Sequence, residues 1–288
     1  MFRRILFPTN FSEHSRRAMD CLAGFPAIYE VILLHIIDNS PLSSHNASGS
    51  QEEHARDLLK ADKTVLSGIG LQVRTCLEVP DSGSIHECIE AVAQREQVDL
   101  IVMSAGGGGL IKGLHLGSVS HGVIHHSSFN LLIIRYRVIE GMSGSRYEKF
   151  CPMILSRVLI PIDMSPQSLQ AISIIAKTQG IGQINLLHII PGGKESEEAQ
   201  SRQYQAKIVI ENLCSELKKS GINASGDVLI GEPVPTVLKY ADEKDVSVIA
   251  LVPYGKSWIT EMIHGSFTCD LASQTIRPTL ILKEATGR

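Results

Sequence analysis

Apolar residues in this chain fall into short continuous runs rich in β-branched side chains, separated by longer segments in which they return every three or four positions. Runs of that kind suit strands buried on both faces and the intervening spacing suits helices, so the pattern predicts a parallel sheet with crossover helices. In the first half, strands are predicted at 4–8, 30–37, 72–79, 99–104 and 130–135. In the second half they are predicted at 157–162, 183–190, 223–230, 246–252 and 279–283. Between the last pair of long strands, Ala206, Val209, Leu213 and Leu217 form one apolar helical stripe. Ser165 followed by Pro166 supplies an N-cap and a first-turn proline directly after a strand.

The two halves repeat one another. Arg4-Ile5-Leu6-Phe7-Pro8 is echoed by Arg157-Val158-Leu159-Ile160-Pro161, and Leu33-Leu34-His35-Ile36-Ile37 by Leu186-Leu187-His188-Ile189-Ile190. Gly107 with Gly117-Ser118 returns as Gly255 with Gly265-Ser266. A period this long marks a duplicated domain rather than a solenoid. The boundaries read from sequence are a first domain at 1–138, a Gly- and Ser-containing linker at 139–153, and a second domain at 154–288.

Composition narrows the function classes. The 288 residues are 43% apolar and 20% charged, which is ordinary for a folded protein. Lys plus Arg number 27 against 30 Asp plus Glu, and no basic stretch is long enough to follow a phosphate backbone, so neither nucleic acid nor an anionic membrane is expected as a partner. The six cysteines show no C-x-x-C spacing and read as a reduced, cytosolic set. The opening apolar run is too short for a signal peptide, so the protein is expected in the cytoplasm.

The chemistry sits after the fourth strand of each half. Met103-Ser104-Ala105-Gly106-Gly107-Gly108-Gly109 leads through a spacer to Gly117-Ser118-Val119, which opens a helix. A Gly-rich loop feeding a helix N-terminus suits anions, because free amides and the helix dipole converge there. The second half offers Leu251-Val252-Pro253-Tyr254-Gly255, a spacer, then Gly265-Ser266-Phe267. The Walker A likeness of the residues ending in Lys256-Ser257 is set aside, since Ala250 falls within a predicted strand.

Nine residues separate the glycines in both halves, and the second glycine is followed by serine each time. The chain thereby resembles universal stress proteins of the ATP-binding type, which carry G-x2-G-x9-G-[S/T] here. Ile5-Leu6-Phe7-Pro8-Thr9-Asn10-Phe11-Ser12 and Val158-Leu159-Ile160-Pro161-Ile162-Asp163-Met164-Ser165 look like that family's I-L-x-P-x-D-x-S opening. The resemblance implies two Rossmann-like domains of the adenine nucleotide alpha hydrolase-like kind. Each would hold five parallel strands flanked by helices, and the two would be arranged as an intramolecular pseudo-dimer through their last strands, with homodimers also open. It implies a cytoplasmic stress-response or signalling protein with an undefined protein partner, binding ATP or AMP, with Mg2+ accompanying ATP. Carried across, the nucleoside end would meet Pro8, Asn10 and Ile36, and the phosphates Met103, Ser104, Gly107, Gly117, Ser118 and Val119. The second copy would offer Pro161, Asp163, Ile189, Gly255, Gly265 and Ser266.

The departures rank the copies. Ser104 and Val252 replace the motif's first glycine, and Asn10 replaces aspartate. Pro253 lacks an N–H, so the first copy is the better phosphate cradle. Gly117 is expected at positive φ. His35 and His188 read as hydrogen-bonded strand residues rather than ligands, and Ser12 and Ser165 as helix caps rather than nucleophiles. No spacing suggests zinc, and no nucleophile has a paired base. A nucleotide-free dimerisation scaffold and a slow ATP hydrolase are the alternatives, with His115, Lys112, Lys256 and His264 the nearest loop groups to a phosphate.

Overall fold

The computed structural model describes residues 2–38, 49–80, 82–105, 116–135, 137–141, 144–148, 153–192, 197–252 and 266–283. The chain forms two compact units, Met1–Arg135 and Tyr136–Arg288.

The first unit runs β1 (Arg4–Pro8), α1 (Glu13–Met19), a 3-10 turn (Asp20–Gly24), β2 (Glu30–Ile36), α2 (Gly49–Gly68), β3 (Val73–Glu78), α3 (Ile85–Glu96), β4 (Leu100–Ser104), α4 (Ser118–His126) and β5 (Asn130–Ile134). Its strands lie in the order β3-β2-β1-β4-β5, all parallel. Ile5, Leu6, Phe7, Leu33, Leu34, Leu100 and Ile101 are fully enclosed. Helices on both faces make that burial possible, which is why these strands read as unbroken apolar runs. α3 opens with a reciprocal cap, the Ser84 hydroxyl accepting from the Glu87 amide at 3.3 Å and the Glu87 carboxylate accepting from the Ser84 amide at 2.7 Å.

The second unit opens with an antiparallel hairpin of β6 (Arg137–Gly141) and β7 (Gly144–Glu148), which begins at the end of the expected first domain and runs into the stretch that composition marked as linker. There follow β8 (Arg157–Ile162), α5 (Pro166–Ala176), β9 (Gln183–Ile190), α6 (Glu197–Lys219), β10 (Asn223–Ile230), α7 (Pro233–Glu243), β11 (Val248–Leu251), α8 (Ser266–Gln274) and β12 (Thr279–Ile281). The order β10-β9-β8-β11-β12 repeats that of the first unit, again all parallel.

The stripe on α6 differs from the one expected. Leu217 is buried as expected and Ala206 and Leu213 are half-buried, but Val209 is 43% exposed, and Ile210 and Cys214 are buried in its place. Gly226 on β10 explains the rotation: a Cβ built there would stand 2.3 Å from a methyl of Ile210, so the missing side chain is the notch into which Ile210 fits.

In each unit the chain leaves the first strand toward one side and later returns to the other. The carboxyl ends of the first and fourth strands therefore flank a crevice where the winding reverses, the place where open α/β sheets bind ligands.

Candidate functional site

In the first unit this crevice gathers most of the expected residues. Pro8 ends β1 and Asn10 lies two residues beyond, Ile36 ends β2, Met103 and Ser104 end β4, and Gly117 caps α4, whose first residues are Ser118 and Val119. Gly107 lies outside the described residues, as do His115 and Lys112. In the second unit Pro161 and Asp163 follow the same plan at the end of β8, with Ile189 on β9 and Ser266 opening α8. Gly255, Gly265, Lys256 and His264 lie outside the described residues.

The turn after the first strand is a shared device. Asn10 accepts the Ser12 amide at 3.1 Å through Oδ1, and Asp163 accepts the Ser165 amide at 3.0 Å in the same way. This side-chain-to-backbone bond two residues on is what short polar side chains favour in turns. Between each pair stands a residue in the left-handed region, Phe11 at φ 59° and Met164 at φ 64°. Such backbone costs a non-glycine residue on the order of 1–3 kcal/mol and persists only where its surroundings impose it. The serines then cap the next helix, Ser12 accepting from the Ser15 amide and Ser165 from the Ser168 amide, both at 3.2 Å.

The histidines of the second strands belong to this device too. His35 Nδ1 lies 2.8 Å from the Thr9 carbonyl oxygen, and His188 Nδ1 lies 2.9 Å from that of Ile162. A carbonyl only accepts, so Nδ1 carries the proton in both rings. Burial pushes both imidazoles below the ordinary histidine range, with the bond to the carbonyl opposing it. The Phe11 ring packs on His35 with centroids 4.3 Å apart. Sequence placed these histidines at equivalent positions and read them as hydrogen-bonded. Their target, a backbone carbonyl of the site turn, depends on a strand pairing that only the fold supplies.

α4 meets the crevice differently from α1. Its N-cap, Gly117, makes no side-chain bond to the first turn, and that turn holds no acidic residue. The first amides of a helix have no partner within it, so an uncapped start presents donors and the positive end of the helix dipole. The helix is held in place from behind: the Ser120 hydroxyl donates to the Ser104 carbonyl, and the Gly117 amide to that of Ala105, both at 3.1 Å. Gly117 has φ −63° and ψ 154°. The expectation of positive φ there is thus incorrect, since any residue adopts this extended conformation, and the want of a side chain at a helix start facing the crevice is what remains for glycine to supply.

The copies differ around the turn after the first strand. Asn10 is exposed and Ile36 half-buried, while Asp163 is 7% exposed and Ile189 wholly buried. The Asp163 carboxylate also accepts the Ser165 hydroxyl at 2.5 Å, whereas Asn10 keeps an amide nitrogen without a partner among the described residues.

The comparisons agree with this duplicated plan. The model of the Universal stress protein family matches residues 1–135 and again 155–283. Universal stress protein MJ0577 of Methanocaldococcus jannaschii is 28% identical over 158 residues, which cover 47% of this chain and 96% of that one. Universal stress protein Sll1654 of Synechocystis is 33% identical over 138 residues, covering 46% and 86%. The crystal structure of a universal stress protein from Archaeoglobus fulgidus matches 98% of this chain and 97% of its own, at 20% identity and a TM-score of 0.72, which is a likeness of fold.

Proposed function

Because the chain belongs to the universal stress protein family, matched over both of its halves, we propose that it is a cytoplasmic stress-response or signalling protein binding ATP or AMP in its first unit. The observation that carries this reading is the uncapped start of α4, which follows β4, together with an available Asn10 amide after the neighbouring β1, where the sheet's winding reverses. The amides of Ser118 and Val119, with the Ser118 hydroxyl, would hold phosphate oxygens. Asn10 would bond the ribose or base, and Pro8 and Ile36 would wall the nucleoside. The second unit is the weaker site, its Asp163 carboxylate being buried and engaged by Ser165. The pseudo-dimer that the family resemblance implies belongs to the same proposal.

Turnover is proposed to be slow, far below an enzyme's roughly 10 per second. Water activation needs a positioned carboxylate, histidine or glutamine, and none stands among Pro8, Asn10, Ile36, Met103, Ser104 or Gly117 to Val119. The test is native mass spectrometry of protein purified without added nucleotide, followed by calorimetric titration with ATP and AMP. Bound or titratable adenine nucleotide supports the reading. No bound nucleotide and no heat at about millimolar ATP, a binding free energy weaker than about −4 kcal/mol, would leave the nucleotide-free scaffold.

A further inference from the structure

The turn that carries Asn10 departs from the sheet at a defined point. Thr9 still donates its amide to the Leu34 carbonyl at 2.8 Å, as a continuing ladder would. Its own carbonyl meets a side chain: the ring of His35, the next residue along β2, whose Nδ1–H reaches it at 2.8 Å. β1 pairs Pro8 with Leu34, so Thr9 and His35 are the next pair in register. In the second unit the pair is within the sheet, Ile162 opposite His188, with the ring nitrogen 2.9 Å from the carbonyl.

That carbonyl belongs to the peptide group that enters Asn10, or Asp163 in the second unit. Once its plane is fixed, the Cα of the next residue is fixed as well, because only two soft dihedrals per residue remain. The following residues close from that fixed start. The Asn10 oxygen takes the Ser12 amide, Phe11 goes left-handed against the His35 ring, and Ser12 caps α1.

We infer that His35 is the positioning residue of the nucleoside-binding turn in the first unit, and His188 its counterpart in the second, each acting through a ring N–H on the strand-end carbonyl. The same contact, made by the same ring nitrogen in two copies whose neighbouring side chains differ, is the observation behind it. The binding half of this inference rests on the proposed nucleotide site; the structural half does not.

Two substitutions separate the donor from the ring. His35→Phe keeps an aromatic ring against Phe11 and removes the N–H. His35→Asn places an amide nitrogen about where Nδ1 stands. His35→Phe is expected to weaken ATP binding about tenfold, and His35→Asn to return it to within about threefold of wild type. Wild-type affinity in His35→Phe overturns the inference, and so does equal loss in both variants while both remain folded by circular dichroism.

Two readouts need no nucleotide. Exchange of the Ser12 amide should accelerate in His35→Phe and recover in His35→Asn. In the wild-type ring, nitrogen NMR should show Nδ1 protonated and Nε2 bare, a result that does not depend on either variant folding. Should wild-type protein bind no ATP, the nucleotide reading fails and these two readouts decide the brace alone: unchanged exchange, or a ring protonated on Nε2, overturns it.

Discussion

The two units keep one backbone and have parted company on its surface. Both wind five parallel strands in the same order, and both build the turn after the first strand from a histidine brace, a side-chain-to-backbone bond, a left-handed residue and a capping serine. They differ in what that frame presents. At the turn after the first strand the first unit shows an exposed asparagine, the second a buried aspartate. At the outer edge, β3 is strapped by ion pairs, Arg74 to Glu30 and Glu96, and Arg95 to Glu78. β10 instead ends in an open groove of about 870 Å3, lined in part by Tyr204, Lys207, Leu229, Ile230 and Lys239. Charged side chains on an edge strand discourage pairing with another chain, and β3 carries Arg74 and Glu78 in its ion pairs, with Arg95 beside it, where β10 has Asp227 paired with Lys244. Duplication preserved what sets backbone direction and released what faces outward.

The largest expected effect tests the ranking of the two sites. Gly117→Val is expected to weaken ATP binding about a hundredfold, some 2.7 kcal/mol, and Gly265→Val by less than about threefold. The φ at Gly117 suits valine, so the loss would come from the side chain obstructing the helix start rather than from backbone strain. Calorimetry on both variants, with circular dichroism as the control for folding, checks it. Equal losses would erase the distinction between the units.

The next effect concerns packing rather than ligand. Gly226→Ala would press a Cβ into Ile210 and is expected to cost about 2 kcal/mol in urea unfolding. The corresponding Thr75 of β3 is exposed, and Thr75→Ala should stay within about 0.5 kcal/mol. Similar values for the two would mean that α6 does not depend on the Gly226 notch.

A smaller effect sharpens the comparison at the turn. Ser12→Ala removes a helix cap and is expected to cost about 1 kcal/mol. Ser165→Ala also removes the hydroxyl donated to buried Asp163, so its cost should approach about 2 kcal/mol. Thermal unfolding of the two variants gives the order directly.

The smallest effect is on pH. Both braces have folded values below the ordinary histidine range, so the unfolded chain binds more protons as acidity rises. Their contribution is full above about pH 6.5, the unfolded value. It declines as pH falls from there through the lowered folded values. The stability loss on acidification should be shallower in the His35→Asn, His188→Asn double variant than in wild type; a steeper loss would reverse the sign argued here.

Much of the fold was legible because parallel strands leave a simple trace. Strand positions such as 4–8, 157–162, 183–190 and 223–230 coincide with those observed. Leu217 of the α6 stripe was legible, but not the choice of Ile210 over Val209, since the two are equally apolar and what decides between them is Gly226, on another element. The β6–β7 hairpin was hidden because Gly141 and Gly144, which pair across it, look compositionally like linker. Of the site, the motif spacing marked the starts of α4 and α8. The left-handed Phe11 and Met164 left no mark, because nothing about phenylalanine or methionine announces a backbone that favours glycine.

Those two residues also say something about ancestry. Glycine at either position would remove the strain, yet each half holds a bulky side chain there, and the two side chains differ while φ agrees to within a few degrees, 59° and 64°. A conformation costly to maintain and found at the same place in both halves points to a shape inherited from a single-domain ancestor. The turn's geometry then predates the joining of the halves, and the side chains that decorate it have diverged since.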